Sequence, residues 1–268
     1  MIDLARSFLF VPGDRPDRFA KALASGADAV ILDLEDAVAP DRKALARAEV
    51  ANWLATNGPA IVRVNASGSR EFESDVAAIA SHVAAVMLPK SERVEDIARV
   101  REISGGQLSV VALIETSKGV ANASRIAQED GVVRLALGNV DLAAELDIDP
   151  SDDMALMYVR SLLVLASAAA GLPGLIDGVS TEIQDLDRVA AAAAHGRRLG
   201  ATAKLCIHPA QVDVVNLAMS PSKGDLQWAR SVLSADGDGA TAVGGHMVDP
   251  PVLARARRLL ARHDALSS

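Results

Sequence analysis

The chain has 268 residues, half of them apolar, and 35 acidic side chains against 27 basic ones, for a formal net charge of −8. That length and apolar fraction suit one large α/β domain or two small ones, and basic residues scattered through an acidic excess argue against nucleic acid or an anionic membrane as partner and for small molecules. A single cysteine, Cys206, leaves no intramolecular disulfide, and with no charged-then-apolar leader and no apolar run near the roughly 18 to 20 residues that span a bilayer, the chain reads as cytoplasmic.

In chain order, short aliphatic runs fall at 7–13 (SFLFVPG), 29–35 (AVILDLE), 60–66 (AIVRVNA), 84–90 (AAVMLPK), 108–116 (LSVVALIET), 134–139 (RLALGN), 175–181 (LIDGVST) and 203–209 (AKLCIHP). Segments of helical length and period lie between them, among them 41–56, 92–104, 153–170 and 184–199. Strands alternating with helices imply parallel pairing, and near-continuous apolar runs imply burial on both faces. Eight such units give the count of a (β/α)₈ TIM barrel; an open doubly wound sheet is the alternative, although the first turn, VPGDRPDRF, lacks a dinucleotide fingerprint. The barrel is expected over 1–220. A C-terminal helical extension is expected over 221–268, either part of the same domain or an arm to a neighbouring subunit, with the glycine-rich stretch 234–251 as a lid, an arm or a connector.

Several of these runs end in a polar residue. Side chains two apart share a face of a strand, so Asp33 and Glu35 fall with Ile31, Arg63 and Asn65 fall together, Glu115 falls with Leu113 and Val111, Lys90 with Leu88 and Val86, and His208 with Cys206. Barrel active sites are assembled at the C-terminal ends of strands, which is where these residues would gather. Glu115 and Asp141 follow successive strands and would offer two hard oxygen ligands with positions left for water and substrate, a donor set that suits Mg²⁺. Structural readings stand beside these: a buried salt bridge of Asp33 and Glu35 with Arg63, an N-cap for Asp36, a turn for Asn65 and a carboxylate partner for Lys90. The histidines show no zinc spacing.

The ordered segments RSFLFVPGDRPDRFAKA, DLEDAV, RVNA, LPK, IETSKGV, LGNVDLAAEL, CIHPAQ and MVDPPVLARA resemble the citrate lyase beta-subunit-like proteins of the HpcH/HpaI aldolase superfamily nearly end to end. The resemblance implies a TIM barrel assembled as a homotrimer or hexamer. It also implies Mg²⁺-dependent cleavage or formation of a carbon–carbon bond, commonly on a 3-hydroxyacyl-CoA thioester. By motif, Glu115 and Asp141 would be the magnesium ligands and Arg63 would hold the substrate's thioester oxygen or carboxylate. Phe10, Arg15 and Lys21 match the spacing with which related malyl-CoA lyases bind coenzyme A, and solvated helix charge is the other reading of Lys21. Asp249 resembles the family's general acid/base, supplied across a subunit interface; it is equally an N-cap followed by proline. Glu35 and Asp36 would shape the polar mouth. Asp147 and Ala203 depart from the family's usual glycines, at positions expected to border the pocket. A coenzyme-A-independent aldolase, a Schiff-base aldolase on Lys90 or Lys204, and a partner-dependent citrate lyase beta subunit are the competing activities.

Overall fold

The computed structural model describes residues 2–58, 60–83, 85–234, 242–243 and 246–267. The chain divides into two compact units, 1–219 and 220–268. In the first, β1 (Ser7–Pro12), β2 (Ala29–Asp33), β3 (Ile61–Arg63), β4 (Ala85–Leu88), β5 (Ser109–Ile114), β6 (Val132–Leu137), β7 (Ile176–Asp177) and β8 (Ala203–Cys206) form a closed parallel barrel in chain order. Closure is made by β8 pairing with β1, Lys204 opposite Ser7. This is the expected (β/α)₈ barrel, and the open sheet is excluded. Around it run α1 (Phe19–Leu23), α2 (Lys43–Asn57), α3 (Phe72–Ile79), α4 (Val94–Ile103), α5 (Ser117–Ala127), α6 (Asn139–Leu146), α7 (Met157–Ala169), α8 (Leu186–Arg198) and α9 (Val212–Met219).

Alternation along each strand sorts two apolar cores. Phe8, Ile31, Ile61, Met87, Leu113 and Leu205 fill the barrel interior, while Leu9, Leu32, Val62, Val86, Ile114 and Cys206 pack outward against the helices. Two fully buried charges brace this arrangement. Arg134 lies 5.3 Å from the Phe8 ring and donates to the carbonyls of Ile2, Ala5 and Gly174, tying the start of the chain under the barrel. Asp177 sits between Arg160 Nε at 2.8 Å and Lys204 Nζ at 3.3 Å, joining α7 to the end of β7 and the start of β8. Burial alone would raise the Asp177 pKa, but these two cations hold it below the usual carboxylate range.

The strands end earlier than the apolar runs suggest: β2 stops at Asp33, β3 at Arg63 and β7 is two residues long. The polar residues that close those runs therefore sit in the βα loops, where their side chains can turn away from strand parity. The expected sixth run is displaced, because β6 begins at Val132 and 139–146 is helical. Asp141 accordingly lies in the first turn of α6 rather than at a strand end.

In the second unit, α10 (Lys223–Ser234) and α11 (Pro250–Ser267) pack through Ala229, Val232 and Ala256, with the Arg255 guanidinium 4.5 Å from the Trp228 ring centroid. The glycine-rich stretch falls largely outside the described residues; Ala242–Val243 and His246–Met247 pair as short antiparallel strands. No helix among the described residues is long and apolar enough to cross a membrane.

Candidate active site

The turn after β1 brings Gly13 against β2. A Cβ there would stand 2.6 Å from the Asp33 carbonyl oxygen, so only glycine permits the approach. Asp33 itself organises the next loop: its Oδ1 accepts the Glu35 N–H at 2.9 Å and its Oδ2 the Ala37 N–H at 3.1 Å. The same carboxylate receives Arg63 Nε at 2.7 Å and Nη2 at 2.6 Å, a two-point grip, while Arg63 Nη1 lies 3.1 Å from Glu35 Oε2. The guanidinium is 4.8 Å from the Phe10 ring. Burial works against the Arg63 charge, but Asp33, Glu35 and Glu115 hold its pKa above the ordinary value. The salt bridge expected as the structural reading of Asp33 and Glu35 is therefore present, and it fixes the arginine that borders the mouth.

Lys90 departs from its expected face. Val86 and Leu88 point outward into the helix-facing core, and parity would send Lys90 with them. It instead adopts φ 48°, which turns its Nζ to within 2.6 Å of Glu35 Oε1 and aims its N–H at Glu115 Oε1, 2.8 Å away. Burial opposes its charge, yet Glu35 and Glu115 keep its pKa above the usual lysine value. Lys204 is committed to Asp177 and to the Gly178 carbonyl at 2.6 Å. Neither lysine is thus the free amine a Schiff base requires.

Glu115 follows β5 and is 2% exposed. Desolvation, then the charges of Glu35 and Asp141, push its pKa up to about 8. Gly138 makes room for it: a Cβ there would meet Glu115 Cβ at 2.4 Å and Oε2 at 2.5 Å. Next to it, Asn139 donates Nδ2 to the Val179 carbonyl at 3.1 Å and leaves Oδ1 buried without a partner. Phe10, Arg63, Glu115, Asn139 and Asp141 line one cavity of about 360 Å³ at the C-terminal end of the barrel, with Asp33 and Asp36 at its edge. Glu35 lies behind this lining, held by Arg63 and Lys90. Acids outnumber cations there, and two hard carboxylates facing an aqueous cavity fit a magnesium ion that keeps water and substrate as its other ligands. Among the described residues no three His, Cys, Asp or Glu side chains gather as a metal cluster.

Other sequence candidates within the first unit stand apart from the cavity. Arg15 is exposed and paired with Asp17 at 2.9 Å, and Lys21 is exposed on α1; neither lines the cavity. Asn65 donates to Asp75 and to the Leu34 carbonyl, a loop brace. His208 is exposed, and its Nδ1 accepts the Ala210 N–H. In the second unit, Asp249 Oδ1 accepts the Val252 N–H at 3.0 Å, capping α11. Asp147 and Ala203, expected at the pocket border, are not there: Asp147 ends α6 at φ 54°, where glycine would cost less, and Ala203 is buried in the barrel interior opposite Ile176.

A model of the family described as HpcH/HpaI aldolase/citrate lyase matches residues 6–209. The chain belongs to the HpcH/HpaI aldolase/citrate lyase family. It is 40% identical over 265 residues to a citrate lyase subunit beta-like protein of Mycobacterium tuberculosis, covering 95% of this chain and 94% of that one. It is 35% identical over 275 residues to a (3S)-malyl-CoA thioesterase of Cereibacter sphaeroides, covering 98% and 96%. Among solved structures, protein CitE of M. tuberculosis in complex with magnesium, acetoacetate and coenzyme A superposes with a TM-score of 0.84 at 37% identity, covering 97% of this chain and 98% of that one. Family membership makes the chain a lyase. Gly138 and Asn139 border the cavity beside Asp141, and sequence reasoning passed over both, because the role of a glycine is visible only from what approaches it and that of a lone buried amide oxygen only from what surrounds it.

Two expected results follow from this geometry. Gly138→Ala sets a methyl 2.4 Å from Glu115 Cβ, a clash that rotating the Glu115 side chain cannot relieve, so the backbone must shift; it is expected to weaken magnesium binding by about tenfold or more while costing about 1–3 kcal/mol of stability, and calorimetric titration and thermal unfolding check both. The raised Glu115 pKa gives the second. The carboxyl is protonated below about 8 in the metal-free fold against 4.5 for a glutamate in water, so burying it leaves stability untouched at low pH and costs stability as pH rises between those values. A magnesium ion held by Glu115 would have to displace that proton, so its affinity is expected to climb by about tenfold per pH unit up to pH 8 and level off above it. Titrations in buffers of different ionisation enthalpy would show about one proton released at neutral pH and none well above 8.

Proposed function

We propose that the protein is a Mg²⁺-dependent carbon–carbon lyase that cleaves, or in the Claisen direction forms, a 3-hydroxyacyl-CoA thioester, yielding an acyl-CoA and a 2-oxo acid. The observation that carries this reading is the buried Glu115 beside Asp141, facing Arg63 across one cavity at the C-terminal mouth of a closed barrel. Glu115 and Asp141 would hold the ion, which when bound supplies Lewis acidity toward the oxygens of a 2-oxo acid. Support comes from the relative crystallised with magnesium, acetoacetate and coenzyme A.

Arg63 is placed by Asp33 and Glu35 before substrate arrives, so it meets the developing thioester enolate oxygen without reorganising. Phe10 packs the acyl portion beneath it. In the synthetic direction Asp249, supplied by a neighbouring subunit of a homotrimer or hexamer, removes a proton from the acyl α-carbon. The enolate carbon then attacks the 2-oxo carbonyl, and the resulting alkoxide takes a proton from water. Glu35 and Asp36 keep the mouth polar and Glu35 holds Arg63 and Lys90. Arg15 and Lys21 meet the phosphates of coenzyme A, and Cys206, buried and reduced, is in keeping with a cytoplasmic setting.

The test is a screen of citryl-, malyl-, methylmalyl- and citramalyl-CoA with and without Mg²⁺, read by release of acyl-CoA and 2-oxo acid. Metal-dependent cleavage of at least one is expected; turnover that survives chelation, or none without an acyl-carrier partner, overturns it. A coenzyme-A-independent aldolase is the second reading, favoured by the pairing of Arg15 with Asp17 away from the cavity. Arg15→Ala separates the two: KM for a thioester is expected to rise about tenfold with kcat retained, whereas an aldolase acting on a free hydroxy-oxo acid is unaffected.

A further inference from the structure

Among the described residues only Lys90 and Asp147 are non-glycine residues with positive φ. Asp147 ends a helix, where that conformation is common; Lys90 follows a strand, where it is a cost of about 1–2 kcal/mol that something must offset. The left-handed turn achieves two things at once. It presents the Lys90 N–H to Glu115 Oε1 at 2.8 Å, which pins one oxygen of that carboxylate and leaves Oε2 beside Gly138. It also redirects the side chain from the helix-facing layer to the mouth, with Nζ 2.6 Å from Glu35 Oε1 and 3.9 Å from Glu115 Oε1.

Five carboxylates gather at this end of the barrel, those of Asp33, Glu35, Asp36, Glu115 and Asp141, against the charges of Arg63 and Lys90. Arg63 is engaged by Asp33 and Glu35. The ammonium of Lys90 is then the cation that balances the far side of Glu35 and the near side of Glu115.

We propose that Lys90 is a positioning residue with two opposed effects on the metal site: its backbone orients Glu115 for the ion, and its ammonium substitutes for the ion's charge when the site is empty. This rests on the magnesium reading of Glu115 and Asp141. Loss of the backbone donor weakens metal binding; loss of the ammonium strengthens it, because a competing positive charge is gone, Glu35 keeps only Arg63 and Glu115 loses the ammonium 3.9 Å away. Glycine adopts positive φ freely, so Lys90→Gly keeps the donor and removes the charge.

The experiment titrates Mg²⁺ into the full chain by calorimetry for the parent, Lys90→Gly and Lys90→Arg, alongside thermal unfolding with and without the metal. At about pH 9.5, where the Glu115 proton no longer competes with the metal, Lys90→Gly is expected to bind Mg²⁺ about tenfold more tightly than the parent, to unfold at lower temperature without metal, and to recover that loss at saturating metal. Lys90→Arg, which keeps the charge, is expected to bind like the parent. A residue of merely structural importance would weaken metal binding when lost, so unchanged or weaker affinity in Lys90→Gly overturns the proposal. Should that variant not purify folded, Lys90→Met carries the same readout against Lys90→Arg, with tighter binding supporting and weaker binding overturning. A parent chain that takes up no Mg²⁺ sinks the magnesium reading itself and this proposal with it, a result distinct from a parent that binds and a variant that binds equally.

Discussion

Glu115→Gln is expected to remove Mg²⁺-dependent turnover, lowering kcat/KM by at least about 10³-fold, which corresponds to about 4 kcal/mol of transition-state stabilisation. The amide keeps the shape of the side chain and an oxygen to accept the Lys90 N–H, which in the native chain runs to Glu115 Oε1 at 2.8 Å, but it cannot supply the anionic charge that a hard dication requires. The fold is expected to survive. In the native metal-free protein the ionised carboxylate is destabilised by burial and by Glu35 and Asp141, which is why its pKa stands at about 8. A neutral amide is spared that cost. The melting temperature of metal-free Glu115→Gln above about pH 8 should therefore equal or exceed the parent's, whereas added Mg²⁺ should raise the parent's alone. Turnover near the parental level in the variant would refute the assignment of Glu115.

Arg63→Ala is expected to damage both chemistry and fold. Its guanidinium makes two hydrogen bonds to Asp33, at 2.7 and 2.6 Å, and lies 3.1 Å from Glu35. Truncation strands two buried acids, 1% and 5% exposed, and removing one partner of such a pair typically costs about 3–5 kcal/mol. Loss of the donor that is proposed to meet the enolate oxygen should lower kcat by a further factor of about 10² to 10³. The pH dependence identifies the cause. Burial already holds the Glu35 pKa above the ordinary carboxylate value with Arg63 as the largest opposing charge, so losing the arginine raises it further, and the cost is incurred when Glu35 is ionised and relieved when it is protonated. The melting-temperature deficit should accordingly be largest near about pH 8 and shrink toward about pH 5. Arg63→Lys is expected to recover part of the stability and little of the rate, since an ammonium cannot reproduce the two-point grip on Asp33. A deficit independent of pH would show that lost packing on Phe10, rather than stranded charge, is responsible.

These two side chains were legible before any coordinates, through the parity of short strands. Ile31 and Asp33, Ile61 and Arg63, Leu113 and Glu115 do share the inward face, and the interior cluster contains the apolar member of each pair. Parity failed where a strand had already ended. Lys90 sits two residues past β4 in a left-handed turn that reverses its face, and Asn65 two residues past β3 turns to Asp75 rather than the mouth. Asp141 was singled out by its place after the sixth apolar run and again by its motif, but its position on the first turn of α6 was not, because the aliphatic LALGN run reads as strand until the sheet pairing is known.

The count and direction of the strands, the apolar faces, and the acids and cations that end apolar runs all depend on local period, which each segment carries in its own residues. Only the tertiary structure decided which of those charges meet. Glu35, Lys90 and Glu115 are 55 and 25 residues apart by pair, and their encounter depends on barrel closure, on the backbone turn at Lys90, and on two glycines, Gly13 and Gly138, whose missing side chains admit Asp33 and Glu115. Electrostatics between such groups varies steeply with distance and burial, so the raised Glu115 pKa and the poised arginine are properties of the assembled mouth and of no single stretch of the chain.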